Sequence, residues 1–151
     1  MQSPFFIEPC SSSALTEWSA LRAALWPDAT PEEHLQDMAA LLHQPDRYAQ
    51  FIAYNGDRTP AGFIEACLRR DYVNGTRSSP VAFIEGLYTV PHMRRRGVAS
   101  LLVQTAEEWA KDKGCRELAS DALLENVASH ETHMALGFEE TERVVYFRKA
   151  L

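Results

Sequence analysis

Apolar positions along the chain change period midway, from helical to strand-like spacing. Ser3 to Glu8 reads as a short strand ended by Pro9. Leu15, Trp18, Leu21, Ala24 and Leu25 then fall on one helical stripe, predicting a helix over Ala14 to Leu25. Ser11, Ser12 and Ser13 offer caps before it, and Pro27 stops it. A second helix starts at Pro31, with Glu32 and Glu33 in the first turn, where negative charge is favourable. Its apolar positions are Leu35, Met38, Ala39, Leu41 and Leu42.

The period then shortens. Gln50 to Tyr54 and Pro60 to Leu68 read as strands around an Asn55-Gly56-Asp57 turn. A polar loop over Asp71 to Pro80 follows. Val81 to Val90 reads as a central strand, ended by Pro91. A helix runs from Gly97 or Val98 to about Lys113, with Leu101, Leu102, Thr105, Ala106 and Trp109 as its buried stripe. Gly114 terminates it. A strand over Arg116 to Asp121, a helix over Val127 to Leu136 closed by Gly137, and a last strand over Thr141 to Lys149 complete the pattern. This order predicts a mixed α/β unit, with no repeat or linker to divide residues 1–151 into more than one domain.

Charge narrows the partners. The formal net charge of −6 over 151 residues argues against general nucleic-acid binding and favours a cationic partner. Cys10, Cys67 and Cys115 are too few and too scattered for a disulfide scaffold or a metal knuckle, which predicts a reduced, cytoplasmic protein. No basic region leads into an apolar run at the N-terminus, and no uncharged stretch of about 18 apolar residues predicts a membrane span. The five histidines form no metal-ligand spacing, and His130-Glu131-Thr132-His133 lacks the HExxH interval, so no metal is expected.

The most informative stretch lies between the central strand and the long helix, at Arg94-Arg95-Arg96-Gly97-Val98-Ala99. A strand end, a basic turn and a helix start together make an anion site, because free amides and the helix dipole converge there. Gly97 allows close backbone approach, and Ala99 keeps the first turn small. A plain basic surface turn before an amphipathic helix is the competing explanation.

These six residues resemble the R/Q-x-x-G-x-G/A signature of the GCN5-related N-acetyltransferase superfamily, with Arg94, Gly97 and Ala99 at its defining positions. Asn126, followed by Ala135-Leu136-Gly137-Phe138, resembles a second feature of that superfamily. Leu25-Trp26-Pro27, Asp71-Tyr72-Val73-Asn74-Gly75, Phe83-Ile84-Glu85-Gly86, Gly114-Cys115-Arg116-Glu117, Ala119-Ser120-Asp121 and Ala135 to Arg143 resemble the chromosomal aminoglycoside 6'-N-acetyltransferases. The resemblance implies a twisted, mainly antiparallel sheet flanked by helices and acetyl-coenzyme A as acetyl donor. It implies aminoglycosides as acceptors, antibiotic resistance as the consequence, and a homodimer to which the C-terminal strand contributes.

It also assigns residues. Arg94, Arg95, Arg96, Gly97, Val98 and Ala99 would bind the cofactor pyrophosphate, backbone around Leu87, Tyr88 and Val90 would hold the pantetheine arm, and Asn126 would add a hydrogen bond. Trp26, Tyr72 and Asp121 would line the acceptor pocket with Glu85. Glu85 interrupts an apolar strand, where a buried carboxylate needs a partner. It would hold the acceptor amine and take its proton directly or through water. A structural carboxylate bonded to Arg69 or Arg70 is the alternative, and Trp26 and Tyr72 could equally be core residues. His133 stands where many superfamily members carry the tyrosine that protonates the departing thiolate; Tyr146 is a second candidate. Other acceptors of the same chemistry are a polyamine, a metabolite or a protein amine, and the non-enzymatic alternative is a cofactor-binding module without turnover.

Overall fold

A computed structural model describes residues 4–151. Ser3, the predicted start of the first strand, lies outside the described residues. The elements are β1 (Phe5–Pro9), α1 (Leu15–Leu25), α2 (Pro31–Leu42), β2 (Tyr48–Asn55), β3 (Pro60–Arg69), β4 (Val81–Thr89), α3 (Val98–Asp112), β5 (Leu118–Ala119) and α4 (Val127–Ala135). The sheet runs in the order β1-β2-β3-β4-β5. Its first three pairings are antiparallel, and only β4 and β5 run parallel. The predicted mixed, mainly antiparallel sheet with flanking helices is what forms.

Both faces of the sheet are covered, which is why β3 is buried from Ala61 to Leu68 rather than alternating. On one face α3 lays Val98, Leu102, Val103 and Ala106 against Ile64, Ile84 and Ala53. On the other, Trp18 and Leu21 of α1 and Met38 of α2 pack against Ile52, Tyr54 and Phe63. The start of α2 follows its cap: the Thr30 hydroxyl accepts from Glu33 N–H at 3.1 Å, with Pro31 at the first position. Of the serines expected to cap α1, Ser11 instead caps the short turn Ser12–Ala14, and α1 itself starts without a side-chain cap.

Four elements differ from expectation. The α2 stripe is rotated: His34 and Met38 are buried, whereas Leu35 is 49% exposed. In α1, Arg22 is buried and Ala24 is exposed. At the C-terminal end β5 pairs through only two residues, and the strand expected over Thr141 to Lys149 does not form in the described chain. A strand needs a neighbour to take its N–H and C=O groups, and this segment has none here. Val145, Tyr146 and Phe147 stand 77%, 80% and 92% exposed.

Candidate active site

The site begins with an irregularity in β4. Glu65 faces Gly86 and Ala66 faces Ile84, so Glu85 is the extra residue of a β-bulge. The bulge swings its carboxylate out of the sheet: Glu85 is exposed, not buried as its place in an apolar strand suggested. Its Oε1 accepts from Arg69 Nη2 at 2.7 Å and from the Cys67 thiol at 2.9 Å. The alternative partner Arg69 is therefore real, but the contact lies in an open cleft rather than a sealed core. Burial, followed by the Glu85 hydrogen bond and charge, pushes the Cys67 thiol up to about 11. Arg69 also lies over the Phe83 ring, 3.6 Å from its centroid.

Glu85, Trp26 and Tyr72 line one cleft of about 1130 Å³, together with Asp71, Cys67 and Arg69. Three of the four predicted acceptor residues thus come together. Trp26 closes one wall: a Cβ on Gly86 would stand 2.5 Å from its Cη2, so only glycine lets the indole seat beside the bulge. Its ring meets Phe63 edge-on at 5.9 Å, and it is half-buried. Tyr72 on the following loop is 74% exposed and presents a free aromatic face to the cleft mouth.

Asp121, the fourth, does not line this cleft. It is exposed, two residues beyond Ala119, which pairs with Phe83. Glu85 lies two residues beyond Phe83, so the acids leave the parallel pair at the same level, on diverging strands.

That divergence opens β4. Beyond Phe83 and Ala119 the parallel pairing stops, while β4 continues to Thr89 along β3 alone. Val90 N–H bonds to Ala61 at 2.8 Å, so by alternation Tyr88 also turns its backbone to β3 and Leu87 turns its own to the open side. Of the three expected pantetheine-binding positions, Leu87 alone offers both backbone groups to the fork. Arg94 Nε donates to the Thr89 carbonyl at 2.9 Å, tying the basic turn to the strand end.

At the far end of the fork the chain turns into α3. Arg95 adopts φ 62° and Gly97 φ 88°, the left-handed backbone that favours glycine. No side chain caps α3, so its first amides lie free behind exposed Arg94, Arg95 and Arg96, with Val98 buried below and Ala99 small. Space beside Gly97 is open. A diphosphate fits this donor set.

On the other bank of the fork, Asn126 Oδ1 accepts from Ser129 N–H at 3.2 Å and caps α4, which leaves its amide nitrogen uncommitted by that bond. His133 is half-buried on α4, with Nδ1 2.7 Å from the Ser129 carbonyl and Nε2 2.8 Å from Ser120 Oγ. Because a carbonyl only accepts, Nδ1 carries the hydrogen and Nε2 faces Ser120, the first residue past the β5 pairing. The Phe138 ring stacks edge-on at 5.3 Å. Tyr146 stands 80% exposed.

One carboxylate was missed. Glu65 on β3 is 4% exposed and takes hydrogen bonds from Arg22 and from Trp18 Nε1. Burial pushes its carboxyl up, opposed by Arg22 and Trp18. The signal was present, a single charge inside the apolar run Ala61 to Leu68, the same signal that singled out Glu85.

A splayed parallel pair, an uncapped basic helix start and an acid on a bulge together offer what an acyl-transfer site requires. The chain belongs to the acetyltransferase (GNAT) family, whose pattern it matches over residues 15–138. Within it, the chain is 52% identical to the aminoglycoside N(6')-acetyltransferase type 1 of Acinetobacter baumannii, over 95% of this chain and 97% of that one. The crystal structure of aminoglycoside antibiotic 6'-N-acetyltransferase AAC(6')-Ih from Acinetobacter baumannii superposes with a TM-score of 0.92 at 50% identity, covering 97% of this chain and 99% of that one. AAC(6')-Iy in complex with the bisubstrate analogue CoA-S-monomethyl-acetylneamine gives a TM-score of 0.93 at 46% identity, covering 99% and 100%.

Proposed function

We propose that this protein transfers the acetyl group of acetyl-coenzyme A to the 6'-amine of aminoglycoside antibiotics, by direct attack in a ternary complex, and so confers resistance. The observation that carries the reading is the Glu85 bulge, which presents a carboxylate to an aromatic-walled cleft where β4 opens. The relatives that share about half of this sequence are named for that activity.

Acetyl-coenzyme A is the second substrate. Its diphosphate is assigned to the free amides of α3 with Arg94, Arg95 and Arg96, and its pantetheine arm to the open edge of β4 at Leu87. Asn126 contributes through its uncommitted amide nitrogen. The acceptor lies between Trp26 and Tyr72, with its reacting nitrogen at Glu85 and a further ammonium reaching out of the cleft toward exposed Asp121. Glu85 holds the ammonium and takes one proton from it, directly or through water, so that the neutral nitrogen attacks the thioester carbon; a second proton leaves the nitrogen as the tetrahedral intermediate expels the thiolate. The backbone N–H of Leu87 faces the side on which the oxyanion develops. His133 protonates the departing thiolate from Nε2 as the imidazolium, with the proton released by the amine replacing the one it gives; the neutral form carries its hydrogen on Nδ1, at the Ser129 carbonyl. Fixed geometry supplies the remaining acceleration, since no covalent acyl-enzyme is needed.

The chain acts as one acetyltransferase domain over residues 1–151, in the cytoplasm, and pairs with a second copy through its exposed C-terminal segment. The proposal includes no nucleic acid, in keeping with the net charge of −6, and no membrane. Among the described residues no helix is long and apolar enough to cross a membrane.

The test is the initial rate of coenzyme A release with kanamycin, tobramycin, spermidine and a lysine peptide offered separately. The aminoglycosides should turn over at least about tenfold faster in kcat/KM than the other amines. A preference for spermidine or the peptide would move the acceptor to a different amine class.

A further inference from the structure

One wall of the acceptor cleft is lined by a polar cluster, Arg22, His34, Asp37 and Glu65, that the proposed chemistry does not use. Arg22 on α1 has a side chain 6% exposed, and every face of it is engaged. Its Nη1 donates to the carboxylate of Glu65, whose other donor is Trp18 Nε1 at 2.9 Å. Nη2 reaches Asp37 Oδ2 at 3.2 Å, and Nε donates to His34 Nδ1 at 3.2 Å. The flat of the guanidinium stands 4.8 Å from the Trp26 ring centroid.

His34 completes a loop back to Trp26. It is 1% exposed on α2, and its Nε2 lies 3.2 Å from the Trp26 carbonyl oxygen. Its partners fix its tautomer. Arg22 Nε can only donate, so Nδ1 accepts; a carbonyl can only accept, so Nε2 carries the hydrogen. Trp26 is thus gripped twice, its backbone by His34 and its ring by Arg22, as the chain leaves α1. Its indole edge in turn abuts Gly86, the neighbour of bulged Glu85.

A buried ion pair is weak evidence for stability, because well-packed apolar side chains of similar volume often hold a fold as well. A guanidinium fork and an imidazole with both nitrogens engaged do something apolar groups cannot: they fix direction. We infer that Arg22 and His34, anchored by Glu65, are positioning residues that set the Trp26 wall against the β4 bulge and thereby the seat of the acceptor beside Glu85. This rests on the reading of Trp26 as part of the acceptor pocket.

The test uses H34Q, H34L, R22K, W26A and the double variant W26A/H34L, with steady-state kinetics in both substrates and a thermal melt for each. Glutamine can accept from Arg22 and donate to the Trp26 carbonyl, so H34Q should stay within about threefold of the parent acceptor KM. H34L and R22K should raise the acceptor KM about tenfold while the acetyl-coenzyme A KM stays within about twofold. R22K keeps the charge opposite Glu65, so it serves even where H34L folds poorly. W26A should show the same acceptor defect, and the double variant should be no worse than W26A alone. Additive losses, or equal damage to both substrates by H34L and R22K, would overturn the inference while leaving Trp26 in the pocket. An unchanged acceptor KM in W26A would remove Trp26 from the acceptor pocket and the inference with it.

Discussion

Two glutamates on adjacent strands show how much a single residue can hide. Both interrupt apolar runs, and the cost of an unpaired buried carboxylate makes each a candidate. Glu65 alone is buried, and it is paired with Arg22. Glu85 escapes burial because one extra residue in β4 rotates it outward, and a bulge leaves no mark in a hydropathy pattern. Glu85 also controls its neighbour. Cys67, raised to about 11, is a thiol at neutral pH, and its thiolate appears only as pH climbs toward that value. E85Q removes the negative charge that helps raise it, so the Cys67 value falls and alkylation at a fixed pH of about 8 should speed up by more than about threefold. The same variant should lose about 10²-fold or more in kcat. Peptide mapping after iodoacetamide checks the first, with Cys10 and Cys115, buried like Cys67 but without a bond to Glu85, as references; slower Cys67 labelling in E85Q would contradict it.

Among the elements, legibility follows how local the cause is. α1, α3, β3 and β4 carry their own periodicity and stops, and they form close to where the pattern places them. The basic turn was legible as well, since Gly97 sits where a left-handed backbone is required. The α2 stripe was misplaced because the element beside it presents Arg22, which turns a histidine inward in preference to Leu35. No apolar periodicity encodes that choice. The C-terminal segment is the reverse case: its sequence has strand character over Thr141 to Lys149, yet strand pairing depends on a partner. Three consecutive residues, Val145, Tyr146 and Phe147, are exposed in a run that shows apolar side chains on both faces. A second copy of the chain would cover them. Light scattering should give a dimer for the full chain and a monomer after deletion of residues 139–151. A full chain that runs as a monomer would contradict this assignment.

At the scale of the whole molecule, the fold brings together three things that sequence order keeps apart. An acidic chain with net charge −6 attracts a polycation. The cleft where Trp26, Tyr72 and Glu85 meet is its proposed seat. The fork between β4 and β5 and the uncapped start of α3 are the proposed path of an anionic thioester from the other direction. Glu85 stands where the two approaches meet, and acyl transfer needs only that the amine and the thioester be held there together. The claim with the sharpest consequence is therefore which amine is acylated. Tobramycin treated with the protein and acetyl-coenzyme A, and analysed by two-dimensional NMR of the isolated product, should carry one acetyl group, on the 6'-nitrogen. Acetyl at another amine, or unreacted drug beside a protein that still binds acetyl-coenzyme A, would contradict the account.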